Sequence, residues 1–201
     1  MSEIRIYVEG GGDKDSKARM RQAFSQFLAE SRDAARQRRA KWSVILCGSR
    51  DDTFSAFRQG VKDHPNARVF LLVDAEQEVA GSPREHLASR DPWDLSFADD
   101  EQCHLMAQVM ESWFLADAAA LERFYGQGFA AGHIPKRKNV EEVPKAEVMS
   151  ALDNASRSTR KGRYHKIQHG PQILENLHPQ RVRSRAPHCK RLFTALADAL
   201  S

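Results

Sequence analysis

IRIYVEGGGDKDSK, residues 4–17, alternates Ile4, Ile6 and Val8 with Arg5 and Tyr7, then stops on one carboxylate and three glycines. A period of two over an apolar run is the mark of a strand, and the glycines mark a tight turn. From Asp13 the pattern becomes helical, with Ala18, Phe24, Phe27, Leu28 and Ala35 at three- and four-residue steps. Val44-Ile45-Leu46, closed by Gly48, reads as a second strand. Asp51-Asp52-Thr53 opens a second helix with Phe54, Phe57 and Val61 on one face, and His64-Pro65-Asn66 breaks it. Arg68–Val73 (RVFLLV) is the most strand-like run in the chain and ends on Asp74. This β-α-β-α-β order predicts an α/β fold, a mostly parallel sheet flanked by helices.

Beyond it, residues 77–101 are polar and read as a long loop or short helix at the sheet edge. His104–Met110 reads as a fourth strand running into Glu111 and a helix through Trp113, Phe114, Leu115 and Leu121. Gly126, Gly128 and Gly132 end that unit. The division predicted is an α/β core over 1–130 and a basic helical extension over 131–201, packed on the same domain. Its helices are placed at Lys145–Ala155, after His169, and from Pro187 to Leu200.

With 201 residues, 41% hydrophobic and 29% charged, the chain suits one domain with a full-sized core. It holds no apolar run long enough to span a membrane and opens straight into a strand pattern rather than a secretion signal. Cys47, Cys103 and Cys189 are odd in number and far apart, which fits a reducing cytoplasm and packing roles rather than disulfides or zinc. The net charge of +4 is uneven: residues 131–201 hold 14 Lys+Arg against 6 Asp+Glu, a net of +8, so residues 1–130 carry −4. An acidic front beside a basic back suggests a carboxylate site next to a surface for a polyanion such as DNA or RNA.

In open α/β sheets, ligands bind outside the carboxyl ends of the strands. Glu9 ends the first strand, Asp74 the third, Glu76 lies two residues on, and Glu111 follows the fourth. Carboxylates brought that close repel unless a cation sits among them, and hard oxygen ligands favour Mg²⁺ or Mn²⁺. The glycine loop is a poor phosphate cradle, because a Walker loop needs Lys and Ser/Thr directly after its last glycine and Asp13 stands there instead. A loop that presents Glu9 is the better reading.

Val8-Glu9-Gly10-Gly11-Gly12-Asp13 resembles the Glu-Gly-x-x-Asp motif of Toprim domains. Asp74-Ala75-Glu76 resembles their second motif, usually Asp-x-Asp, with glutamate in place of the last aspartate. Tyr7–Asp13, Val109–Asp117, Tyr164-His165-Lys166 and Ser184–Leu192 together resemble a bacterial Toprim-like family known only as a domain of unknown function. That family is related to the nuclease domain of overcoming-lysogenization-defect (OLD) proteins. The resemblance implies a Mg²⁺-dependent nuclease site with Glu9 as acid/base carboxylate or metal ligand, Asp74 and Glu76 as metal ligands, and Glu111 as a further ligand. It also implies an ABC- or AAA-like ATPase partner and a role in phage defence. The sequence leaves the oligomeric state open, a homo-oligomer included. The alternative is a non-catalytic subunit that binds an ATPase or nucleic acid.

Arg160, Lys161, Arg163 and Lys166 are the candidate phosphate contacts, and Lys166 is also placed to stabilise charge on a scissile phosphate. Each candidate has a plainer reading. Asp74 and Glu76 suit a turn cap, Glu111 suits a helix start, and the basic cluster suits solvated surface. Trp113, Phe114 and Leu115 read as core, and Asp117 as an exposed helix residue. His165 and His169 lack a third zinc ligand.

Overall fold

The expected strands form a parallel sheet. The computed structural model describes residues 3–201. Strands β1 (Glu3–Glu9), β2 (Lys41–Gly48), β3 (Arg68–Asp74) and β4 (Cys103–Met106) form one sheet in the order β2-β1-β3-β4. Every pairing is parallel. The period-two pattern sorts the side chains into two cores. Ile4, Ile6 and Val8 of β1 face one side with Phe70 and Leu72 of β3. Tyr7 faces the other with Val69, Leu71 and Val73.

Topology decides which helices cover which face. The connection from β1 to β2 steps one way along the sheet, and that from β2 to β3 steps back past β1. Right-handed crossovers in opposite directions put their helices on opposite faces. Accordingly α1 (Lys14–Phe27) and α2 (Ala29–Gln37) cover the first core. Helices α3 (Arg50–Asp63) and α4 (Pro83–Arg90) cover the second. Side-chain caps from Asp13, Ser49 and Ser82 start α1, α3 and α4, satisfying backbone N–H groups that have no helical partner.

After β4 come α5 (Ser112–Ala116), α6 (Ala118–Tyr125), α7 (Lys145–Ser156), α8 (Lys166–Asn176), α9 (Pro179–Arg185) and α10 (Pro187–Asp198). Their buried residues, among them Leu152, Ile173, Leu192 and Leu196, join the same core as Ile4 and Ile6. Helix α8 lies against α1, and α10 against β4. The basic extension therefore shares the sheet's own core.

Several boundaries differ from those read in the sequence. Strand β4 stops at Met106 rather than Met110. Residues beyond it bond to the end of β3: Met110 N–H donates to Asp74 Oδ1 at 2.8 Å, and Gln108 O accepts from Glu76 N–H at 2.7 Å. The helix expected through Leu121 is two helices broken at Asp117. That residue is buried, not exposed, and it accepts hydrogen bonds from Ala120 N–H, His178 N–H and Arg181. The helix placed after His169 starts at Lys166, and α9, bracketed by Pro179 and Pro187, is a helix beyond those expected from the sequence. Ala18 is exposed; the buried stripe of α1 is Ser16, Met20, Ala23, Phe24 and Phe27.

Gly60 shows how closely α3 packs on the sheet. A Cβ there would lie 2.3 Å from Tyr7 Oη. Gly60→Ala gains about 1 kcal/mol of helix propensity, but overpacking costs about 1–3 kcal/mol. Net destabilisation of about 1 kcal/mol is expected as a lower urea midpoint, and an unchanged or raised midpoint would contradict the packing.

Glu141 anchors α10. Its carboxylate accepts from His188 N–H at 3.0 Å and from Cys189 N–H at 3.3 Å, at the helix's N-terminus. Burial still pushes its carboxyl up to about 7, outweighing the two amides. A raised carboxyl makes the folded state bind the extra proton between its unfolded value and about 7. This group's contribution to stability therefore falls as pH rises across that window. Urea unfolding of wild type against Glu141→Gln should show the variant's relative stability rising from pH 5 to pH 8, at pH values chosen to bracket the window; a flat difference would contradict it.

Candidate metal centre at the carboxyl edge of the sheet

Strands β1 and β3 lie side by side, yet their connections leave in opposite directions. Their carboxyl ends thus flank the topological switch point where open α/β sheets bind ligands. Glu9 and Asp74 are the last residues of those two strands.

The glycine loop turns away and leaves Glu9 at the edge. Gly10 and Gly11 have φ of +125° and +78°. Gly10 N–H donates to Gly48 O at 3.0 Å, and Lys17 Nζ to Cys47 O at 2.9 Å, so the loop is tied to the end of β2. A Cβ on Gly11 would fall 2.7 Å from Lys17 Cγ. Asp13 caps α1 by accepting from Ser16 N–H at 2.7 Å. The loop presents Glu9 and caps a helix.

Glu9 Oε2 accepts from Asp74 N–H and from Arg50 Nη1, each at 3.1 Å. Asp74 Oδ1 is held by Met110 N–H, and its Oδ2 lies 3.5 Å from Lys166 Nζ. Glu76 sits at φ +68°, rare for a residue with a side chain, and pairs with Lys145 at the start of α7. Glu9, Asp74 and Glu76 each place a carboxylate oxygen within 4.8 Å of the other two.

Glu111 is fully buried and stands apart from that trio. Its Oε1 accepts from Tyr164 Oη at 2.9 Å and lies 3.7 Å from Lys166 Nζ, while Oε2 is buried without a hydrogen-bond partner. Lys166 is thus the link between Glu111 and Asp74.

The charges perturb one another as this crowding requires. Burial pushes the Asp74 carboxyl up to about 7; Lys166 opposes the shift, while Glu111 and Glu9 add to it. Burial also raises Glu9, against the pull of Arg50. Burial would lower Lys166, but the neighbouring carboxylates, Asp74 first, hold it above the ordinary lysine value.

Beside the carboxylates is a cavity of about 150 Å³, bounded by Glu9, Asp74 and Lys166 and by Met20, Met110 and Ile167. A larger cavity of about 480 Å³ lies at the opposite end of β3, beside Arg68–Phe70; Asp99, Glu101 and Asp198 line it, but among the described residues they do not bring their carboxylates together as Glu9, Asp74 and Glu76 do.

The structure divides the basic residues singled out in the sequence. Lys166 reaches the carboxylates. Arg160, Lys161 and Arg163 are exposed in the turn between α7 and α8; Lys161 lies 4.8 Å over the Phe124 ring, and Arg163 pairs with Asp153. Sequence reasoning assigns no role to Arg50, Asp91 or Lys145, and singles out Tyr164 only as part of the family-like stretch Tyr164-His165-Lys166. Arg50 had one usable signal: it follows Gly48-Ser49 at the carboxyl end of β2, the same edge that singled out the acids.

The donor set fits a hard divalent cation. Three carboxylates from two strand ends converge, and nearby Glu111 keeps a buried oxygen without a partner. Among the described residues, these four carboxylates pair with three cations, Arg50, Lys145 and Lys166, and Arg50 is shared with Asp91. Among the described residues no helix is long and apolar enough to cross a membrane.

A family model described as a domain of unknown function (DUF4276) matches residues 8–197. No curated protein and no solved structure matches the chain.

Proposed function

The chain belongs to that DUF4276 family, whose description leaves its activity open, and we propose that it is a Mg²⁺-dependent nuclease hydrolysing phosphodiester bonds in DNA or RNA, with Mn²⁺ able to replace Mg²⁺. The observation that carries this reading is the convergence of Glu9, Asp74 and Glu76 at the switch point, with Lys166 alongside. The likeness of Val8–Asp13 and Asp74–Glu76 to the Toprim motifs supports it. So does the excess of basic residues in the last third of the chain. The same resemblance supports a role as a phage-defence effector beside an ATPase partner.

Glu9, Asp74 and Glu76 would hold the cation, and Glu111 is the nearest further carboxylate. Bound there, a divalent cation supplies Lewis-acid polarisation of the phosphate and a more acidic water at neutral pH. Lys166 would exchange its contacts with Asp74 and Glu111 for a phosphate oxygen and hold that charge as it develops. Arg160, Lys161 and Arg163, on the turn leading into α8, would receive the flanking backbone; each phosphate contact removed should flatten the salt dependence of binding.

At least one of linear DNA, circular DNA and RNA should be cleaved on incubation with Mg²⁺ or Mn²⁺, and EDTA should stop the reaction. Glu9→Gln should lower the rate by about 10²-fold or more, as loss of a group stabilising the transition state does. Cleavage that survives Glu9→Gln would rule out this site as its source.

One observation favours a second reading, a non-catalytic subunit that binds an ATPase or nucleic acid. Each carboxylate already has a basic partner: Glu9 has Arg50, Glu76 has Lys145, and Asp74 and Glu111 share Lys166. In that case the network is structural, and the wild type binds no divalent cation at millimolar concentration, of the order reached by weak protein sites.

A further inference from the structure

Arg50 holds together the two strand ends that carry the carboxylates. It is the first residue of α3, started by the Ser49 cap. Its Nε and Nη2 donate to the two oxygens of Asp91 at 2.9 and 2.8 Å, a forked pairing that fixes the plane of the guanidinium. Its face lies over the Trp93 ring at 5.0 Å, and Trp93 stacks on Phe54 at 4.5 Å. That leaves Nη1, which donates to Asp74 O at 2.6 Å and to Glu9 Oε2 at 3.1 Å. One nitrogen thus spans the gap between the end of β3 and the side chain at the end of β1.

The consequence for Glu9 is specific. Its Oε2 already takes two donors, Arg50 and Asp74 N–H. Among the described residues nothing donates to Oε1, and that oxygen is not among the buried atoms without partners. Asp91 lies at the end of α4, is mostly buried, and also pairs with Arg90 at 2.6 Å. The anchor therefore sits on a separate helix from the one that carries Arg50.

We infer that Arg50, seated by Asp91 and Trp93, is a positioning residue that fixes Glu9 to offer Oε1 alone to a divalent cation. The inference rests on the metal-centre reading of Glu9, Asp74 and Glu76. Its force lies in a sign. Arg50 is a positive charge beside a cation ligand, so on charge alone its removal should tighten cation binding. As a positioning residue its removal should weaken binding, as loss of outer partners of metal ligands does. Mg²⁺ demands near-ideal octahedral geometry at short distances and Ca²⁺ tolerates irregular sites, so Mg²⁺ should suffer more.

The test is calorimetric titration of the full chain with Mg²⁺ and with Ca²⁺, for wild type, Arg50→Gln, Arg50→Lys and Asp91→Asn, each checked for folding by thermal melting. The expected result is Mg²⁺ affinity about tenfold weaker in both Arg50 variants, with a lower ratio of Mg²⁺ to Ca²⁺ affinity. Arg50→Lys keeps the charge and loses the fork, so it serves if Arg50→Gln does not fold. Asp91→Asn, which leaves Arg50 in place without its seat, should shift the ratio in the same direction. Mg²⁺ binding as tight as wild type or tighter in Arg50→Gln, or an unchanged ratio in Arg50→Lys, overturns the inference while leaving the metal centre standing. A wild type that binds neither ion overturns the metal centre itself and the inference with it.

Discussion

Asp74→Asn is expected to abolish Mg²⁺ binding in the concentration range where wild type saturates, a loss of about a hundredfold or more in affinity, since even outer partners of a ligand are worth 10–100-fold. The substitution isolates the charge. Asparagine keeps an oxygen that can accept from Met110 N–H, the bond that holds the chain leaving β4, and the backbone N–H that donates to Glu9 is untouched. What disappears is one of four carboxylates packed around three cations. In EDTA, Asp74→Asn should therefore melt at or above the wild-type temperature, because a buried, mutually repelling charge has been removed. Weaker metal binding together with equal or higher metal-free stability is the signature of a functional carboxylate. A variant that melts well below wild type would mark Asp74 as a structural cap. Calorimetry and a thermal melt on the same preparation separate the two.

Trp113→Ala should cost about 3–5 kcal/mol, the range for deleting a large buried aromatic. Trp113 is fully buried and stacks on Phe27 of α1 at 5.3 Å; Phe27 meets Phe193 of α10 edge-on at 5.7 Å. One aromatic column thus joins a helix of the N-terminal half, the helix after Glu111, and the last helix of the basic extension. Against a total stability of about 5–15 kcal/mol, that loss is large. Unfolding followed by fluorescence and by circular dichroism should remain one coincident transition, since both segments share a core. Trp113→Phe should be far milder: it keeps a ring in the column and removes an indole N–H that is buried without a partner. Equal losses for the two substitutions would contradict this account of the column.

The sequence made the sheet's first three strands readable because their signals are local. Alternation in Ile4–Val8, the apolar run Arg68–Val73 and the capping residues all act within a few positions. The end of β4 was not readable for the opposite reason. Ala107, Val109 and Met110 are buried whether they lie in a strand or outside one, so hydrophobicity does not mark the boundary. What ends the strand is hydrogen bonding to Asp74 and Glu76, more than thirty residues earlier. Asp117 follows the same logic: an acid in an apolar helix looks exposed until its partners His178 and Arg181 arrive from the turn before α9 and from α9 itself.

The same contrast runs through the site. Glu9 and Asp74 were found because strand ends can be read from pattern alone. Their partners were not, because Arg50 meets Asp91 across 41 positions, Tyr164 meets Glu111 across 53, and Lys145 meets Glu76 across 69. Sequence pattern groups Arg160, Lys161, Arg163 and Lys166 as phosphate contacts and adds a charge-stabilising role for Lys166; the fold shows that of these four Lys166 turns toward the acids.

The most direct test of the metal centre is anomalous scattering from crystals of the wild-type chain grown with saturating Mn²⁺. The account predicts a manganese peak in contact with carboxylate oxygens of Glu9, Asp74 and Glu76, with Glu9 contributing Oε1 while Oε2 stays on Arg50. Manganese absent from this edge of the sheet, with Arg50, Lys145 and Lys166 still holding the carboxylates, would contradict it.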